Sequence, residues 1–231
     1  MAPDPSPSDD EALYEERTPD SPHLGSVWQA RAVRDERYLV PAVEYWDLWF
    51  ARRPDGEEVA GISGPTLGHR WVRSAVGEHS WGVQLRAHVA VPVASKRLLL
   101  GGEQPLPVTD GTVTIGGHDV AFPEFADLEA FVDRLLDLGV VRADDEVRRA
   151  LDGDETGYSE RHWQRQVRET TGLTRKQIAQ LARAREAFAL LMEGVAPADC
   201  AARCGFSDQA HLTRSLRAFH GQTPARILND R

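Results

Sequence analysis

Gln209, Thr213, Arg214 and Arg217 fall at helical spacing, so they share one side of a helix whose other side carries Leu212, Leu216 and Phe219. Gln pairs bidentately with adenine, Arg with guanine, and Thr or Ala can meet a thymine methyl; Arg217, further along, is better placed for a phosphate. These residue types also suit an ordinary solvated helix face, and what separates the two readings is the segment just before them. Pro197 fits a helix first turn, with Cys200, Ala201 and Cys204 lining one face. Gly205 can take the left-handed conformation that ends such a helix, Phe206 drops into the corner, and Ser207 can cap the next helix with Asp208 near its positive end. Two short helices held at a sharp angle are expected.

A similar unit lies upstream. Ser159 can cap a helix whose Trp163 and Val167 face inward and whose Arg161, Gln164, Arg165 and Arg168 face outward, with Gly172 as its end. Thr174 and Gln177 have capping-box spacing and open a long helix to about Glu193, with Ile178, Leu181, Phe188 and Leu191 as its buried stripe and Gly194 as its stop. Such a rod could hold two recognition helices for successive major grooves, about 34 Å apart.

Gly205-Phe206-Ser207-Asp208-Gln209-Ala210-His211-Leu212-Thr213-Arg214, followed by Gly221-Gln222-Thr223-Pro224, resembles the second helix-turn-helix signature of AraC/XylS regulators. Ser159 to Arg165 and Thr171-Gly172-Leu173 resemble the first, and the likeness covers about residues 156–231. The resemblance implies base contacts from Gln209, Ala210, His211, Thr213 and Arg214, and from Arg161, Gln164 and Arg165. One departure is that the family usually has an apolar Leu-Ala helix directly before the first recognition helix. This chain has the turn 152–157 there, preceded by a short charged helix over 145–151.

Between Trp28 and Pro123 the pattern is of short apolar runs broken by Gly and Pro, as in a small β domain, with a tight hairpin at Gly116-Gly117. Tyr45-Trp46-Asp47-Leu48-Trp49-Phe50, Gly64-Pro65 and Gly82 to Arg86 resemble, more faintly, the sensory domain of some AraC-type regulators, which implies an effector without naming it. The aromatic residues Tyr45, Trp46, Trp49, Phe50, Trp71 and Trp81 fit a ligand pocket and a strand core equally well. A helical period over Phe125 to Leu138 then leads toward the C-terminal half. Residues 1–27, rich in Pro, Ser, Asp and Glu, read as a disordered acidic tail.

The net charge of -9 is divided unevenly: 12 Lys and Arg stand against 7 Asp and Glu over 156–231, and 15 against 29 before it. A basic unit therefore follows an acidic one, which suits a polyanionic partner for the second. Cys200 and Cys204, one turn apart, suit neither a disulfide nor a zinc site and read as core residues. His69, His79, His88 and His118 are too scattered for a metal, and Gly61-Ile62-Ser63-Gly64-Pro65 fails as a nucleophile elbow because Pro65 replaces the second Gly. No catalytic residue, cofactor or metal is expected, and no apolar run is long enough to span a membrane, which places the chain in the cytoplasm.

The expected fold is α+β. A β-rich effector or sensory domain with its connecting helix would occupy 28–139, and an all-α double helix-turn-helix domain 140–231. Double-stranded DNA is the expected partner, with a small-molecule effector and, for an activator, RNA polymerase. The competing reading is a β-domain binding protein or enzyme with a helical interaction module.

Overall fold

The computed structural model describes residues 13–92, 94, 101–154, 157 and 159–230. Its N-terminal part is built on a six-stranded antiparallel sheet of order β1-β2-β7-β4-β5-β9. These strands are β1 (Leu13–Arg17), β2 (Leu24–Arg31), β4 (Asp47–Arg52), β5 (Glu58–Ser63), β7 (His79–Leu85) and β9 (Glu103–Leu106). A two-stranded ribbon of β3 (Glu36–Val40) and β6 (Arg70–Ser74) stands beside it. The small sheet β10 (Val108–Thr109), β11 (Thr112–Ile115) and β12 (His118–Ala121) contains the expected hairpin, whose Gly116 and Gly117 have φ of 61° and 80°. Both values are in the left-handed region that a two-residue turn of this hand requires.

The strands alternate, and the two faces of the large sheet do different work. Val27, Leu48, Phe50, Ile62, Trp81 and Val83 are buried on one face. They pack with Val113 and Ile115 of the hairpin and with α1 (Leu128–Asp137), which contributes Leu128, Phe131 and Leu135 to the same core. Phe50 meets Phe131 edge-on at 5.3 Å, and Trp81 satisfies its indole N–H on the Pro123 carbonyl at 2.9 Å. The helix expected to connect the halves is thus an integral layer of the β domain, because its apolar stripe completes that domain's core.

Part of the segment expected to be a disordered tail is strand. Residues 13–17 form β1, paired with β2 from Leu13↔Arg31 to Arg17↔Val27, and Leu24 and Val27 are buried. A strand with few apolar residues is held here by ladder hydrogen bonds to an already formed sheet, which a window-based hydrophobicity reading does not register. Residues 1–12 of the expected tail lie outside the described residues.

After α1, β13 (Arg142–Ala143) pairs with β8 (Val89–Ala90), and the chain becomes helical: α2 (Asp145–Leu151), α3 (Glu160–Thr171), α4 (Arg175–Met192), α5 (Pro197–Arg203), α6 (Gln209–His220) and α7 (Pro224–Asn229). Two cores form there. Val147, Ala150, Trp163, Val167, Leu173, Ile178 and Leu181 make the first, and Ala187, Leu191, Cys200, Cys204, Phe206, Leu212, Leu216 and Ile227 the second. α4 belongs to both, its first half to one and its second half to the other. Both cysteines are buried free thiols in the second core. Among the described residues no helix is long and apolar enough to cross a membrane.

Candidate nucleic-acid interface

α3 and α6 are each fixed at their start by a side-chain cap. Ser159 accepts from the His162 N–H at 3.3 Å to begin α3, and Gly172, at φ 80°, closes it. Trp163 and Val167 are buried while Arg161, Gln164, Arg165 and Arg168 are exposed, as the period requires. α2 is short and charged, yet its Val147 and Ala150 pack under Trp163. One carboxylate also ties the two helices: Asp144 caps α2 through the Val147 N–H at 3.0 Å and accepts from Gln166 at 3.1 Å and Thr170 at 3.0 Å on α3. The first unit therefore has a supporting helix, although α2 ends at Leu151.

In the second unit Gly205 has φ 68°, and Phe206 is buried in the corner between α5 and α6. The cap is Asp208 rather than Ser207. Its carboxylate accepts from the His211 N–H at 2.6 Å, and this contact holds its pKa below the usual carboxylate range. Ser207 sits one position earlier, 3.2 Å from His211 Nδ1. A carboxylate at this position both accepts the orphan N–H and faces the positive helix end, so it wins over the hydroxyl.

Gln209, Ala210, Arg214 and Arg217 are exposed on α6, whereas His211 and Thr213 are partly covered. His211 lies edge-on to Phe206 at 5.2 Å, and the Thr213 hydroxyl donates to the Gln209 carbonyl at 2.9 Å, which leaves its methyl for apolar contact. Between the units runs α4, 18 residues long and so about 27 Å, opened by the expected capping box of Thr174 and Gln177. The structure thus brings Gln209, Ala210, Arg214 and Arg217 onto one exposed face and Arg161, Gln164, Arg165 and Arg168 onto another.

The far end of α6 meets the β domain. The Ala42 N–H donates to the Phe219 carbonyl at 2.8 Å, His69 Nδ1 lies 3.2 Å from the Ala218 carbonyl, and Arg185 on α4 is ion-paired with Glu44. His220 is stacked on Phe188 at 4.6 Å and 8°, and burial, followed by the nearby Arg185, lowers its pKa to about 4.

Above these contacts opens a cavity of about 1610 Å³ between the second face of the large sheet, the β3–β6 ribbon, and α4 and α6. The aromatic residues singled out in the sequence are sorted by it. Trp46, Phe50 and Trp81 are core, Tyr45 and Trp49 line the cavity, and Trp71 is exposed on β6. Trp28 and Asp47 also line it and were missed: Trp28 stands next to the stretch read as tail, and a lone carboxylate between apolar neighbours gives no pattern. Among the described residues no group of three His, Cys, Asp or Glu could hold a metal ion.

A family profile described as a helix-turn-helix domain matches residues 153–230. No curated protein matches the chain. Among solved structures, the chain is similar to ToxT from Vibrio cholerae in its 1.65 Å form, at 7% identity and a TM-score of 0.47, with 94% of this chain and 98% of that one covered. It is also similar to unsaturated fatty acid-bound wild-type ToxT from Vibrio cholerae strain SCE256, at 10% identity and a TM-score of 0.46, with 96% and 97% covered. The matching profile and the two capped, glycine-closed reading helices identify the C-terminal third of the chain as an AraC-type helix-turn-helix domain, the DNA-binding unit of transcription regulators.

Proposed function

We propose that the chain is a sequence-specific, effector-responsive transcription regulator, in which α3 and α6 read DNA and the β domain binds a small molecule. Base edges are read by Gln209, Ala210, His211, Thr213 and Arg214 on α6 and by Arg161, Gln164 and Arg165 on α3. Arg168 and Arg217 hold phosphates. The observation that carries this reading is the placement of two exposed, basic helix faces at opposite ends of one shared helix, α4, whose N-terminal and C-terminal halves lie in the two helical cores. The effector role rests on a cavity whose walls include Tyr45 and Trp49 of the β domain together with Arg185 and His220 of the DNA-binding domain. A molecule seated there touches both domains, and only a ligand with different affinity for two arrangements can shift one toward the other. Where the regulator activates, RNA polymerase is the further partner, and the cytoplasm is the compartment.

The test is retention of fragmented genomic DNA by the full chain at near-physiological salt, followed by sequencing, with Arg214→Ala beside it. A shared motif that fades in the variant is expected. Retention without a motif, or none at all, would replace this reading with that of a ligand-binding protein whose helices bind another macromolecule.

A further inference from the structure

On the reading that the cavity is an effector site, we infer that its ligand is an organic cation, an amine or guanidine-type group seated over the indoles of Trp28 and Trp49 and against Asp47.

The cavity floor follows from strand register. Glu16, Trp28, Gly82, Trp49 and Gly61 stand side by side across β1, β2, β7, β4 and β5, so all five share the cavity face. The two glycines make the arrangement possible. A Cβ at Gly82 would lie 2.7 Å from the Trp28 ring, and one at Gly61 would run into the ring of Trp49. Each indole therefore lies down over a neighbouring strand with one face on glycine backbone, and both rings border the cavity while remaining partly accessible. Two flat indoles present the negative faces of their π systems, which attract a cation.

The adjoining row is Ser26, Gln84, Asp47, Ser63 and Glu103, with Asp47 at its centre. Trp28 Nε1 donates to Asp47 Oδ1 at 3.1 Å, and among the described residues no cation is ion-paired with this carboxylate. The charged groups facing it are Arg70 from β6, Glu103 from β9 and Glu16 from β1. Arg70 is already ion-paired with Glu103 and hydrogen-bonded to Ser63, and Glu16 accepts from the Tyr14 hydroxyl at 2.9 Å. On the opposite wall Arg185 is taken by Glu44. Arg70, the arginine that faces Asp47, is thus committed to another carboxylate. Burial then pushes Asp47 up to about 7, the behaviour of a carboxylate short of a counter-charge.

A bound cation supplies that charge and at the same time covers the indole faces. Beside Asp47 an anion would have to displace Glu103 from Arg70 and would meet Asp47 and Glu16. A neutral polyol could stack on the indoles and hydrogen-bond to Ser26, Gln84, Ser63 and Asp47, but would bring no positive charge to an ionised Asp47.

The experiment compares 2-phenylethylammonium with its neutral isostere 2-phenylethanol on the full chain, by tryptophan fluorescence and calorimetry. At about pH 8 the ammonium is expected to bind roughly tenfold or more tightly than the alcohol. Its affinity should fall as the pH is lowered through 7 and Asp47 takes up a proton, whereas that of the alcohol should not move. Asp47→Asn keeps an acceptor for Trp28 and should bring the two affinities together, with unchanged far-ultraviolet circular dichroism confirming its fold. Equal or tighter binding of the alcohol, no binding of the ammonium, or an ammonium preference that survives in Asp47→Asn would overturn the inference. DNA retention is measured on the same unliganded samples. A shared motif without ammonium preference overturns only the ligand class, whereas ammonium binding without DNA retention overturns the regulator reading and leaves the site.

Discussion

Arg214 and Arg217 are neighbours on the exposed side of α6, but they are assigned different work. Arg214 lies in the first half of the helix, near the Asp208 cap, and Arg217 one turn from the closing Gly221. A guanidinium that bonds a base edge bidentately discriminates among bases, while one on a phosphate does not. Arg214→Ala is therefore expected to cost about 1–3 kcal/mol at one base position and to relax preference there. Arg217→Ala should weaken all sequences alike and lower the slope of log affinity against log salt by about 1. Binding titrations on a panel of single-base variants at several salt concentrations check both. Identical profiles for the two variants would mean that reading and positioning are not divided between these residues. His211 is already occupied with Ser207 and Phe206, so its share in base contact is limited to the ring edge that those contacts leave free.

At the level of elements, the helices were legible in the sequence because their ends are chemically marked. Ser159, the Thr174–Gln177 box, and Gly172, Gly194 and Gly205 stand where the structure starts or stops a helix. Period and cap agree there. The cap falls one position later than Ser207, on Asp208, since both residue types accept from an N–H and the charge of the carboxylate suits the positive helix end. The sheet was less legible. β1 is polar, and β2 begins inside the segment read as tail, so pairing partners far apart in sequence decide what local composition cannot. The cavity floor was hidden for a related reason: a glycine has no side chain to mark its role, and that of Gly82 and Gly61 appears only when the register sets them beside Trp28 and Trp49. Gly82→Ala tests that purpose. The added methyl would meet the Trp28 ring at 2.7 Å and the backbone carbonyl of Leu48 at 2.8 Å, and the second cannot rotate away. A loss of about 1–3 kcal/mol is expected, with a changed tryptophan emission spectrum. Denaturant unfolding that leaves stability and spectrum untouched would show that the indole does not lie over this strand.

Across the whole molecule, titrating groups and domain contacts act together. Burial holds His88 and His220 down to about 4 from an ordinary 6.5, so between those values the unfolded chain binds protons that the folded chain refuses. Their contribution to stability therefore rises with pH over that window. Asp47 works oppositely. Its folded pKa of about 7 against an ordinary 3.8 means that the folded chain holds the extra proton, and its contribution falls with pH. Burial also holds His79 down and Glu78 up, so three groups against two give a net rise in thermal stability from about pH 4 to 6.5, and Asp47→Asn should steepen it; a shallower slope in that variant would refute the assignment.

The contact between the domains is asymmetric as well. In the Glu44–Arg185 pair the carboxylate side chain is 10% exposed and the guanidinium side chain 48%. Removing Glu44 leaves Arg185 able to turn into water, whereas removing Arg185 strands a carboxylate already out of water. Arg185→Ala should therefore be the more destabilising of the two changes, by roughly 1 kcal/mol or more beyond Glu44→Gln. Part of its effect should disappear when Glu44→Gln is added, because the stranded charge is then gone. Unfolding of both single variants and the double variant measures this coupling directly. Simple additivity would mean that the pair contributes little and that docking rests on the backbone contacts of Ala42 and His69 with the end of α6. Coupling, in contrast, would place a link between the β domain and the helix-turn-helix domain at residues that line the cavity.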